Sequence, residues 1–139
     1  MIKVTILQQD LAWADPAENI RRADIAVESD PGADIYVLPE MFSTGFCTEP
    51  EGAAERHGGP ALEWMKSKAA ETDAAIAGSL AVVEDGKYYN RFYFVRPDGT
   101  YEWYDKKHLF TYGGEHERFT AGSERKVVEF RGVRILLEV

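Results

Sequence analysis

The sequence predicts an α/β protein built on a mixed sheet. Its apolar periodicity gives strand, helix, strand, helix and then a strand-rich stretch, the order expected of that class. Asp15-Pro16-Ala17-Glu18 is a strong helix start, and Asp85-Gly86 and Pro97-Asp98-Gly99 are turn signals that split the second half into hairpins.

Taken in order, Ile2 to Leu7 alternates weakly and is rich in β-branched residues, so it reads as a first strand rather than a signal peptide. Asp15 can cap the following helix, Pro16 suits its first position, and Glu18 falls where a capping box places an acid. Ile20, Ala23 and Val27 follow at helical spacing, and Pro31-Gly32 ends the element. Asp34 to Leu38 is a short apolar run of the kind covered on both faces, and Pro39-Glu40 closes it. A second helix is expected from Pro60, with Leu62, Met65 and Ala69 on one face. Ala74 to Val83 is the next buried strand, Lys87 to Val95 returns beside it, and Thr100 to Asp105 follows. After a loop rich in glycine and charge come Val127 to Phe130, a tight Arg131-Gly132 turn, and Val133 to Val139. That last segment is apolar enough to be a central strand. A central strand would need a partner on each side, so the chain is expected to be one portion of a larger domain.

Bulk properties narrow the function. With 139 residues the chain can bury a real core. A net charge of −8 disfavours nucleic acid and anionic membrane as partners, because both need a cationic face. No apolar run approaches the ~20 residues of a membrane span. The single cysteine, Cys47, has no internal disulfide partner, which fits a reducing compartment, and the cytoplasm is the expected location. No histidine pair or cysteine cluster stands at metal-ligand spacing, so neither metal nor cofactor is expected.

In open α/β sheets, functional groups gather at the carboxyl ends of strands. Glu40 sits there after Ile35 to Leu38, Lys106 after Tyr101 to Asp105, and the position after Val139 would be the equivalent place on the last strand. A carboxylate that takes a proton from a nucleophile, and an ammonium that holds an oxyanion, suit acyl transfer. By spacing alone, a solvated acid and a solvated loop lysine are the stronger reading.

The local sequences change that weighting. Leu38-Pro39-Glu40-Met41-Phe42 resembles the first catalytic motif of the nitrilase, or carbon–nitrogen hydrolase, superfamily. Tyr104-Asp105-Lys106-Lys107-His108-Leu109-Phe110 resembles the second, in which the catalytic lysine stands two residues before the histidine. Arg134 to Val139 is similar to the strand that leads into the family's nucleophilic cysteine. The resemblance runs along essentially the whole chain. It implies a four-layer α-β-β-α sandwich, of which residues 1–139 are the N-terminal portion of a single domain, and pairing into homodimers. Half a sandwich would leave a broad apolar face, so the C-terminal half of the domain is an expected partner.

The resemblance also implies roles. Glu40 is the general base and Lys106, rather than Lys107, holds the oxyanion. In Glu115 to Gly122, counting back from Gly122 selects Glu115 as the second glutamate, with Glu117 the competing residue. The nucleophile is expected just after Val139. Cys47, in a loop after Gly45-Phe46, is not a substitute. Phe42, Phe46 and Tyr112 flank the motifs and are candidate walls for a small-molecule substrate, with Phe42 and Tyr112 taken as substrate-binding. His108 reads as a structural hydrogen-bonding residue, Asn90 as a strand residue that satisfies backbone groups near the site, and His57-Gly58-Gly59 as an ordinary turn before a helix. Trp13, Trp64 and Trp103 read as packing.

Within the superfamily, the two motifs are most similar to bacterial omega-amidases, which remove ammonia from amides of 2-oxo acids such as 2-oxoglutaramate and 2-oxosuccinamate. Aliphatic nitrilases and N-carbamoyl amidohydrolases are the alternative enzymes. An inert relative kept for binding or oligomer contacts is the alternative outside enzymology.

Overall fold

Alternation along the buried strands decides the architecture. A computed structural model describes residues 1–139. Its elements are β1 (Val4–Ile6), α1 (Pro16–Ser29), β2 (Ile35–Val37), β3 (Glu55–Arg56), α2 (Pro60–Thr72), β4 (Ala75–Glu84), β5 (Lys87–Val95), β6 (Tyr101–Asp105), α3 (Glu115–Arg118), β7 (Lys126–Phe130) and β8 (Val133–Leu137). The main sheet runs β1-β2-β4-β5-β6, with β3 beside the far end of β4. β1, β2 and β4 are parallel, and β5 is antiparallel to both β4 and β6. Strands β2, β4 and β6 therefore point the same way, and their carboxyl ends share one edge.

Successive residues of a strand face opposite sides of the sheet. In β4, Ile76, Leu80 and Val82 join a core with Ala23 and Val27 of α1 and Leu62 and Met65 of α2. Ala75 and Ala77 join a second core with Val128, Phe130 and Leu137. Helices thus cover one face of the sheet and the β7–β8 hairpin covers the other. Each fully buried leucine, methionine or valine contributes roughly 1.5–3 kcal/mol, so both layers are held mainly by this burial.

Local signals explain the boundaries. The Asp15 carboxylate accepts from Glu18 N at 3.1 Å and caps α1. Glu18 does not close the expected box; its carboxylate instead takes hydrogen bonds from Arg21 and Arg22. Asp85-Gly86 and Arg131-Gly132 both have positive φ at their two residues, the backbone that joins tightly twisted strands. β1 is shorter than expected because it pairs only along the three residues of β2. β8 differs more. It pairs only with β7 in a two-stranded sheet, and most of its residues are exposed, so within residues 1–139 it is not a central strand. Between it and the main sheet lies an apolar groove of about 330 Å³, lined by Val4, Ile35, Phe92, Ile135 and Leu136 among others.

Candidate active site

Glu40 reaches the shared edge because the chain is bent there by force. Leu38 N still bonds Ala77 O at 2.8 Å, but Met41 takes a left-handed φ of 50°, which a side chain adopts only at a cost. Ser79 of β4 holds the bend: its hydroxyl accepts from Met41 N at 2.9 Å and its carbonyl from Phe42 N at 3.2 Å. Gly78 makes room, since a methyl group there would stand 3.0 Å from Leu38 Cβ. Behind the bend, buried Asn19 of α1 donates to the carbonyls of Ala12 and Ser43 and so ties two loops together. Neither Ser79 nor Asn19 was singled out by the sequence.

Lys106 follows β6 directly. Its amide bonds Asn90 O at 2.9 Å, and its carbonyl accepts from Gly122 N at 2.9 Å. Gly122 is required for space: a methyl group there would overlap the carbonyl of Asp105. Gly122→Ala in the complete protein should push residues 120–123 outward and lower unfolding stability by about 1–3 kcal/mol. Urea midpoints would show it, and an unchanged midpoint would mean the close approach is dispensable.

The side chains converge. Lys106 Nζ donates to Glu40 Oε1 at 2.7 Å and lies 3.1 Å from Glu115 Oε2. Asn90 Nδ2 donates to the same two carboxylates, at 2.8 Å to Glu40 and 3.0 Å to Glu115. Glu115 opens α3 and its Oε2 accepts from Phe110 N at 2.6 Å. Exposure separates the two acids. The Glu40 side chain is 36% exposed, that of Lys106 7%, and that of Glu115 none. Burial pulls the Lys106 ammonium toward losing its proton, but hydrogen bonds and charge from Glu40 and Glu115 outweigh it and hold the group above the ordinary lysine range. An ammonium has three donors, so after two carboxylates one remains for a third acceptor.

Beside this cluster opens a cavity of about 490 Å³, lined by Glu40, Phe46, Lys106, His108, Phe110 and Val139. The last residue of the chain therefore shares a wall with the acid and the cation. Lys106 Nζ lies 5.2 Å from the centre of the Phe46 ring.

Other expected residues fall elsewhere. Phe42 is wholly buried on the helical side, its ring 5.7 Å from that of Trp64, and does not line the cavity. Tyr112 is 94% exposed and does not line it either; Phe46 and Phe110 supply the aromatic wall. Lys107 and Glu117 are exposed, away from the cluster. Cys47 is buried with its thiol 3.2 Å from Glu49 O. The Asn90 side chain serves no backbone group; its amide nitrogen instead bridges both acids. His57-Gly58-Gly59 is a turn, and the α2 N-terminus beyond it is already served by the Glu55 carboxylate, which accepts from Ala61 N and Leu62 N.

Comparisons with known proteins identify the family. Residues 3–139 match the model of the family described as carbon-nitrogen hydrolase. The chain belongs to that family. It is 46% identical over 139 residues to the omega-amidase YafV of Yersinia enterocolitica, covering 99% of this chain and 54% of that protein. It is 35% identical over 135 residues to a 2-oxoglutaramate amidase of Bacillus subtilis, covering 94% and 52%. A CN-hydrolase superfamily protein of Xanthomonas campestris, solved with an arsenic adduct in its active site, superposes with a TM-score of 0.95 at 38% identity, covering 99% of this chain and 52% of that one. This carbon–nitrogen hydrolase chain thus spans about half the length of the curated relatives it matches.

Proposed function

We propose that the complete protein is an omega-amidase that hydrolyses the side-chain amide of a 2-oxo acid, 2-oxoglutaramate or 2-oxosuccinamate, through a cysteine thioester. The observation that carries the proposal is one ammonium shared by a half-exposed and a fully buried carboxylate at the wall of a cavity that Val139 also lines. The relatives named as omega-amidase and 2-oxoglutaramate amidase support the choice of substrate.

In this proposal, residues 1–139 are the N-terminal portion of one domain. The remainder completes a four-layer sandwich over the apolar groove, and the complete protein forms homodimers. A cysteine directly after Val139 supplies the nucleophile. A catalytic thiol needs a reducing compartment, which makes the cytoplasm the proposed location.

Each step has an assigned group. Glu40 Oε1 is occupied by Lys106 and Asn90, which leaves Oε2 to accept the thiol proton. An ordinary thiol, with a pKa of ~8.5, is only slightly ionised at neutral pH, so this base and the neighbouring cation make it competent. The thiolate attacks the amide carbon, and the remaining N–H of Lys106 holds the oxyanion. Glu40 returns its proton to the departing ammonia, leaving a thioester. It then takes a proton from water, which attacks the thioester, and passes that proton to the departing thiolate, so the acid is released and the thiol restored. Glu115, sealed from solvent, keeps Lys106 in place.

Ammonia release by the complete protein from 2-oxoglutaramate, an aliphatic nitrile and an N-carbamoyl amino acid tests the substrate. A kcat/KM at least about tenfold higher on the 2-oxo acid amide is expected, the scale of discrimination a few well-placed contacts supply. Faster turnover of the nitrile or the carbamoyl compound would replace the proposal with that branch. Peptide mapping of the trapped acyl-enzyme should place the adduct on the residue after Val139.

A further inference from the structure

Behind the acid–cation cluster, on the opposite face of the sheet, lies a second charged group that the mechanism does not use. Arg91 of β5 and Asp105 of β6 are direct partners in the antiparallel register. Arg91 Nε donates to Asp105 Oδ1 at 2.7 Å and its Nη2 to Oδ2 at 3.1 Å, a two-pronged bond. Nη2 also donates to Glu84 at 3.0 Å, Nη1 lies 3.0 Å from His57 Nδ1, and the guanidinium sits over the rings of Tyr89 and Trp103. Arg91 is buried and four of its five N–H donors face these partners, so the group is built to fix something rather than to bind a ligand.

What it fixes follows from sequence neighbours. Asn90 precedes Arg91 and Lys106 follows Asp105, and the two are joined by the Lys106 N to Asn90 O bond. Adjacent strand residues face opposite sides, so the Arg91–Asp105 clamp on the helical face locks the stretch of backbone that carries Asn90 and Lys106 on the other. We propose that Arg91 and Asp105 are positioning residues for amide hydrolysis, holding the hairpin at the spacing that lets Asn90 and Lys106 reach Glu40 and Glu115 together. This rests on the omega-amidase reading for its reaction, although the geometry is independent of the substrate. A lysine at position 91 keeps the charge but has no planar fork to hold both carboxylate oxygens.

The test uses the complete protein with Arg91→Lys and Asp105→Asn. A misplacement of about 1 Å at a reacting group costs on the order of a hundredfold. Both variants should therefore lose roughly ten- to a hundredfold in kcat with little change in KM, while remaining folded at the assay temperature. Lys106 is faced by Glu40 and Glu115, with exposed His108 at the cavity wall. In the native protein its ammonium should give a slowly exchanging nitrogen NMR signal, assigned by its loss in Lys106→Ala and broadened in both variants. Arg96→Lys is the control, because Arg96 also pairs with a carboxylate of the neighbouring strand, Glu102, through one nitrogen at the other end of the same hairpin. It should leave kcat and the signal unchanged. Lowered melting temperatures with native kcat and a native signal would overturn the clamp, as would an equal loss from Arg96→Lys. Failure of the unaltered protein to hydrolyse any amide would sink the functional reading alone, because the ammonium signal would still judge the clamp.

Discussion

Glu40→Gln in the complete protein should abolish ammonia release from 2-oxoglutaramate while leaving the fold in place. Glutamine keeps the shape of the side chain and an oxygen that can accept from Lys106, but it cannot take a proton from a thiol or from water. General-base catalysis is worth about 10²–10⁴-fold, and in the proposed mechanism Glu40 serves both half-reactions, so a loss of at least ~10³-fold in kcat is expected. Stability should change little. Glu40 is more than a third exposed, and exposed ion pairs contribute only ~0–1 kcal/mol. Lys106 also keeps its contact with Glu115, and Asn90 keeps one of its two acceptors. Steady-state ammonia release and a thermal melt measured side by side check both halves. Turnover within a few-fold of the native protein would remove Glu40 from the mechanism.

Much of this site was legible before any coordinates, but not from spacing alone. Strand ends after Ile35 to Leu38 and Tyr101 to Asp105 place Glu40 and Lys106 on one edge, yet position alone favoured solvated side chains, and the resemblance of Leu38 to Phe42 and of Tyr104 to Phe110 to the family's motifs singled them out. The same resemblance, counted back from Gly122, chose Glu115 over the exposed Glu117. Asn90 was the main loss. Polar residues are common in strands, and nothing local marks this one. The register could have found it: residues counted equally outward from Asp98 pair with each other, which sets Asn90 opposite Lys106, as the bond between them shows.

Phe42 and Tyr112 misled for the opposite reason. Proximity in sequence to a motif says little about direction, and the left-handed turn at Met41 sends Phe42 back into the helical core. The glycines Gly113 and Gly114 let the chain turn after Phe110, leaving Tyr112 outside. Asn19, Ser79 and Glu55 act through contacts made across 6 to 38 residues, and such pairings cannot be read from periodicity. For β8 the composition was visible and the pairing was not: within residues 1–139 it pairs with β7 alone.

Lys106→Ala, unlike Glu40→Gln, should damage stability as well as rate. Removing one donor from an oxyanion site costs about 10²–10³-fold, and here the same group also neutralises two acids. Without it, Glu115 keeps the amides of Phe110 and Asn90 but faces Glu40 with no cation between them. Breaking a buried pair in this way typically costs ~3–5 kcal/mol, more than the loss of an exposed one, because the charge left behind is sealed from water. The pH dependence follows from the direction of the Lys106 shift. Its folded pKa is raised, so its contribution to stability is complete below the unfolded lysine value of ~10.4 and disappears as pH rises through the folded one. The gap in stability between native protein and Lys106→Ala should therefore be wide at neutral pH and shrink above about pH 10.4. Lys107→Ala is the counterpart: its side chain is exposed, and the change should stay within about 0.5 kcal/mol with turnover nearly native. If instead Lys107→Ala were inactive and Lys106→Ala active, the oxyanion would have to be held from the solvent-facing side of the loop, and the acid–cation cluster would be only a structural knot.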